Sequence, residues 1–177
     1  YTLSYDVNND TWETHTICPV EYDDLNRGGV SFDRELGKTI LVVQDQNGYE
    51  FRTFTYDISL DEWNEVAPVP ELYLETVSLS YNPSFNKTIL FGSLITDQSQ
   101  QFTLLYDSNG NEWTYGAPFH NHSNEVRLSA FDNVLNMTAH FTQYEHIRRL
   151  HYYDLQNDQF ITMQEPDGSP TLSYSSL

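Results

Sequence analysis

The chain has 177 residues, 26 of them acidic against 8 basic, and a formal net charge of −18. Such a surface repels phosphate backbones and anionic lipid, which sets nucleic acid and membrane insertion aside. One cysteine, Cys18, excludes an internal disulfide and any zinc site built from cysteine pairs, while 15% aromatic residues supply more core material than an acidic disordered segment carries.

The first elements are "YTLSYD" and the stretch opened by Trp12, two strands around a polar turn that make a half blade over residues 1–19. Residues 28–70 then hold two hairpins, "VSFDRELGKTILVVQ" from Val30 and "FTYDISLDEWNEVAPVP" from Phe54. The same order returns in 77–118, with "LSYNPSFNKTILFGS" and "LLYDSNGNEWTYGAP", and in 126–166, with "LSAFDNVLNMTAHFTQ" and "YYDLQNDQF". Residues 171–177, "TLSYSSL", read as the first strand of a further unit. Gly37, Asn86 and Asn136 occupy equivalent turn positions, and Gly and Asn tolerate positive φ, so a left-handed residue is expected at each.

The second hairpin repeats with a period of about fifty residues. Tyr5-Asp6, Tyr56-Asp57, Tyr106-Asp107 and Tyr153-Asp154 mark it, and a large aromatic follows each Tyr by seven residues: Trp12, Trp63, Trp113 and Phe160. A proline comes soon after, at Pro19, Pro68, Pro118 and Pro166. β-branched and aromatic residues fill the flanks and helical periodicity is missing, so the prediction is all-β, with four short antiparallel strands per repeat in the plan of a β-propeller blade. Structural roles follow: the Trp and Phe pack between blades, the Tyr fills the same layer, and the Asp caps the tight turn.

The Tyr-Asp pair, the Trp after a polar turn, the following Pro and the period resemble Kelch repeats over nearly the whole chain. The family's paired glycines are replaced by "VVQD", "LFGS" and "HFTQ", of which only Gly92 is retained. The resemblance implies blades around a central channel. Counting strands gives fifteen, about three and a half repeats, so the expectation is the arc of a larger ring. An open arc exposes a sheet edge and interblade faces, which invites assembly.

Four sequons, at Asn9, Asn86, Asn121 and Asn136, make N-glycans an expectation and favour the extracellular or secretory space over the cytoplasm. "HNH" places His120 and His122 at alternate positions, the weak candidates for a metal, with His140, His146 and His151 in the next repeat. A pair in a polar loop is more often solvated, and no cofactor is expected. Galactose oxidase, a Kelch-like enzyme, raises copper as a question, but nothing aligns Cys18 with its cofactor. The acidic stretches "EYDD" at 21–24 and "SLDEW" around Asp61 and Glu62 lack the ordered spacing of a calcium loop. The functional expectation is a non-catalytic scaffold for protein–protein or assembly contacts. A galactose-oxidase-like or glycan-processing enzyme, and a self-assembling extracellular subunit, are the alternatives.

Overall fold

Repeated polar turns decide where the chain reverses. In each Tyr-Asp hairpin the carboxylate accepts backbone N–H groups of its own turn: Asp6 from Asn8 and Asn9, Asp57 from Ser59, Asp107 from Asn109 and Gly110, and Asp154 from Gln156 and Asn157. Four residues past the Asp the backbone turns left-handed, at Asp10, Asp61, Asn111 and Asp158, with φ between 48° and 54°. Asp and Asn accept that conformation at low cost because their short side chains bond locally. The other hairpins follow the same rule, with Asp33, Asn82 and Asp132 capping the turns and Gly37, Asn86 and Asn136 at φ 65°, 51° and 56°.

The computed structural model describes residues 1–20, 28–45, 50–70, 74–94, 100–120, 125–144 and 147–162. They form fifteen strands in four antiparallel sheets. Sheet I holds β1 (Thr2–Asp6) and β2 (Thr11–His15). Sheet II is β3 (Gly28–Asp33), β4 (Lys38–Gln44), β5 (Phe51–Asp57) and β6 (Glu62–Val66), in that order. Sheet III is β7 (Leu74–Asn82), β8 (Lys87–Leu94), β9 (Gln100–Asp107) and β10 (Glu112–Tyr115), with β11 (Phe119–His120) also paired to β9. Sheet IV is β12 (Glu125–Asp132), β13 (Met137–Tyr144), β14 (Ile147–Asp154) and β15 (Gln159–Thr162). "TLSYSSL" lies outside the described residues.

Two details depart from the sequence pattern for physical reasons. Strands β7 and β12 carry bulges at Leu74/Thr76 and Val126/Leu128, which break the alternation that marks a strand. Strand β11 resumes the pairing that β10 leaves: between them Gly116 N–H reaches Thr103 O at 2.9 Å, and Pro118 has no N–H to offer a ladder.

The sheets bury their faces on one another as propeller blades do. First strands β3, β7 and β12 lie side by side, and β3 comes so close to β7 that a Cβ on Gly29 would sit 2.3 Å from the Leu79 side chain. Between sheets II and III, Ile40, Val42, Leu79, Leu90, Leu104 and Tyr106 belong to one buried cluster. Ile89, Phe91 and Tyr153 make another between sheets III and IV. Each such side chain contributes about 1.5–3 kcal/mol through burial.

Candidate functional site at the interblade seams

The repeated residues meet at the seams. Tyr56 O–H donates to Asp61 at 2.8 Å, Tyr106 to Asn111 at 3.0 Å and Tyr153 to Asp158 at 2.5 Å, each pair inside one hairpin. The same acceptor oxygen then takes a backbone N–H from the preceding blade: Thr16 to Asp61 at 2.9 Å, Ala67 to Asn111 at 2.8 Å and Ala117 to Asp158 at 2.6 Å. Ala67 and Ala117 stand just before Pro68 and Pro118, where the fourth strand leaves its own ladder and frees an N–H to point across. The tryptophans add a second tie. Trp63 Nε1–H donates to Thr2 Oγ1 at 3.0 Å, and Trp113 Nε1–H to Thr53 Oγ1 at 3.2 Å and Ala67 O at 3.1 Å.

Electrostatics keep these partners in role. Burial and the bond to Asp61 push the Tyr56 phenol up to about 12. Burial, with Asp107 and Asp33 nearby, does the same for Tyr106, to about 12. Tyr153 rises further still, from burial and from Asp158. Asp61 is held below the usual carboxylate range by the Thr16 N–H and the Tyr56 hydroxyl. At neutral pH the phenols therefore donate and the carboxylate accepts.

Phe160 has no ring N–H. Thr103, which stands where Thr2 and Thr53 stand, keeps a buried hydroxyl with no hydrogen-bond partner among the described residues. Gly116 is fixed by the same seam, because a Cβ there would lie 2.5 Å from the Tyr153 hydroxyl.

Between sheets III and IV lies a pair of buried imidazoles. His140 and His151 are cross-strand partners on β13 and β14, with ring centroids 6.4 Å apart. Phe91 lies 4.3 Å from the His140 ring and Phe119 4.5 Å from the His151 ring, centroid to centroid. Burial drives both toward the neutral form, His140 down to about 3 with His151 adding to it, and His151 down to about 4 with Arg149 adding to it. Thr162 and Thr142 hydroxyls stand 3.1 and 3.4 Å from the two His151 nitrogens, while His140 Nδ1 has no partner among the described residues.

Among the described residues no three His, Cys, Asp or Glu converge as metal ligands. His120 has its backbone in β11, but its side chain, like all of Asn121, His122 and His146, lies outside what is described. Cys18 is half-buried and free, its thiol pushed up by burial. Asn9 is exposed, and its side-chain amide donates to Asp6 at 2.7 Å. Asn86 is half-buried and its Oδ1 accepts from Tyr81 O–H at 3.3 Å, while Asn136 Oδ1 accepts from Ser84 Oγ–H.

The residues not anticipated from sequence are the acceptors Asp10, Asp61, Asn111 and Asp158. Their signal was present: each follows its Tyr by five positions in "YDVNND", "YDISLD", "YDSNGN" and "YDLQND". Two expected contacts are missing. Trp12 and Tyr5 are expected between blades, yet they are 68% and 43% exposed, because no described sheet covers that face of sheet I.

No protein-family model matches the chain, and no curated protein matches it. Among solved structures it is similar to the Dos1 propeller, at a TM-score of 0.55 and 12% identity over 94% of this chain. The chain spans 43% of that propeller's length. A weaker likeness, TM-score 0.44 at 13% identity over 76% of this chain and 35% of the other, is to an auxiliary nutrient binding protein from Bacteroides thetaiotaomicron. The first likeness and the blade geometry agree on a β-propeller fold.

Proposed function

We propose that the chain is part of a Kelch-like propeller scaffold of the extracellular or secretory space, non-catalytic, whose loops select a protein partner carrying basic groups. One observation carries this reading. The repeated Tyr, Asp or Asn and Trp side chains are engaged in fastening blade to blade, whereas Glu35, Glu62 and Glu112 stand exposed at hairpin turns and Glu13 stands exposed in the middle of strand β2. Rigid blades with variable, charged loops are how this architecture presents a recognition surface. A strongly acidic surface steers basic partners into encounter.

The test is titration of the protein with Lys/Arg-rich peptides at increasing ionic strength, beside a variant carrying E13K, E35K, E62K and E112K. The reading expects binding that weakens with salt and is lost in the variant. Salt-independent binding equal in both proteins contradicts it. Peroxide release from galactose after copper loading would move the assignment to an oxidase.

A further inference from the structure

We infer that the uncovered face of sheet I is an interblade surface that receives another blade of this repeat type, from polypeptide other than a second copy of these 177 residues. The inference concerns a blade contact and stands whatever the loops bind.

Three seams show what this face is built for. Position by position, Leu3 and Tyr5 correspond to Phe54 and Tyr56, to Leu104 and Tyr106, and to His151 and Tyr153. The latter three pairs are all 5% exposed or less, each lying against the blade before it, whereas Leu3 is 56% and Tyr5 43% exposed. The hairpin is nevertheless already set. Tyr5 O–H donates to Asp10, and Asp10 is left-handed at φ 54° like its three counterparts. Tyr5 and Trp12 rings sit 5.0 Å apart, against 4.9 Å for Tyr56–Trp63, 5.0 Å for Tyr106–Trp113 and 4.9 Å for Tyr153–Phe160. Only the partner's half is missing: among the described residues no backbone N–H reaches Asp10 and no acceptor meets the Trp12 indole N–H.

The seams also specify the partner's chemistry. It must offer a backbone N–H four residues after its own large aromatic, to match Thr16, Ala67 and Ala117, and a hydroxyl three residues before its Tyr-Asp, to match Thr2 and Thr53. Sheet IV of a second copy fails the second requirement, because Leu150, 38% exposed, stands where that Thr would be. Seating Leu150 on Trp12 would deny the indole N–H the hydroxyl acceptor that both Trp63 and Trp113 have.

Hydroxyl-radical footprinting with carboxyl-directed cross-linking, on the protein isolated from its native source, tests this. Expected are Trp12 and Tyr5 labelled as slowly as Trp63 and Tyr56, and cross-links from Glu13 to a peptide that has Tyr-Asp followed by a large aromatic, with Ser or Thr three residues before the Tyr. D10G, which keeps the turn and removes the acceptor, should speed Tyr5 labelling several-fold and leave Trp113 unchanged. A changed Trp113 rate would report misfolding, and W12F, which removes the indole N–H and trims the side chain to the single ring that Phe160 has at the equivalent position, is then read in its place with the same expectation. Labelling of Trp12 at the rate of a free surface tryptophan, cross-links to sheet IV of this same chain, or cross-links to a peptide lacking the repeat would each overturn the inference.

Discussion

Asn111 binds Ala67 across the seam between sheets II and III: its Oδ1 accepts the Ala67 N–H at 2.8 Å while also holding the Tyr106 hydroxyl at 3.0 Å. One side-chain oxygen thus couples a turn, a buried ring and the neighbouring blade. N111G preserves the positive φ and removes the acceptor, so it isolates those two bonds. Denaturant unfolding should show a loss of about 1–2 kcal/mol, and an unchanged midpoint would contradict the coupling.

Thr53 and Thr103 occupy equivalent places with opposite bonding. Thr53 accepts the Trp113 indole, whereas the buried Thr103 hydroxyl beside Phe160 has no partner among the described residues. Replacement by Val keeps the shape and deletes the hydroxyl. T53V should therefore cost about 1 kcal/mol and T103V should be neutral or stabilising by up to about 1 kcal/mol, read from paired unfolding curves.

Acid should weaken the seam between sheets III and IV before it touches the carboxylates. A histidine whose folded pKa lies below its unfolded value of about 6.5 leaves the unfolded chain binding more protons. Its contribution is present above pH 6.5 or so and is lost as pH falls toward the folded values, about 4 for His151 and about 3 for His140. The loss has a slope of up to about 1.4 kcal/mol per pH unit per histidine. Asp61 and Asp107, whose folded values are lowered, lose theirs only below about pH 4. Stability measured from pH 7 to pH 5 should fall with a shallower slope in H140L than in the parent chain, and equal slopes would contradict the burial of His140.

N-glycosylation consumes one hydrogen of an Asn Nδ2 and leaves Oδ1 free to accept. Glycans at Asn86 and Asn136 are therefore compatible with the bonds from Tyr81 and Ser84, and one at exposed Asn9 leaves the amide a hydrogen for Asp6. Intact mass of the native protein should drop on enzymatic removal of N-glycans. No shift would make the sequons turn residues alone and count against the extracellular reading.

Much of the blade plan was legible because its signals are short-range. The Tyr-Asp pair, the aromatic at a fixed offset and the Gly or Asn turn residues act within one hairpin, and local chemistry decides them. What was not legible acts across a seam. The partner of Asn111 lies in the preceding repeat, so only a recurring Asp or Asn at one offset betrays it. Strand β11 was missed because Pro118 reads as a terminator, although pairing resumes one residue later. His140 and His151 were read as conceivable ligands near a polar loop. Their place at inward positions of two paired strands depends on register, which sequence leaves open, and it makes them packing groups between phenylalanines.

Amide hydrogen exchange at Ala67 and Ala117 tests the account most directly, since both N–H groups face acceptors on the next blade and are outside their own sheet's ladder. Stacked blades predict protection of both amides comparable to ladder positions in β9, with N111G releasing Ala67 and leaving Ala117 protected. Exchange of both at the rate of an exposed loop would mean that the sheets do not stack through these seams.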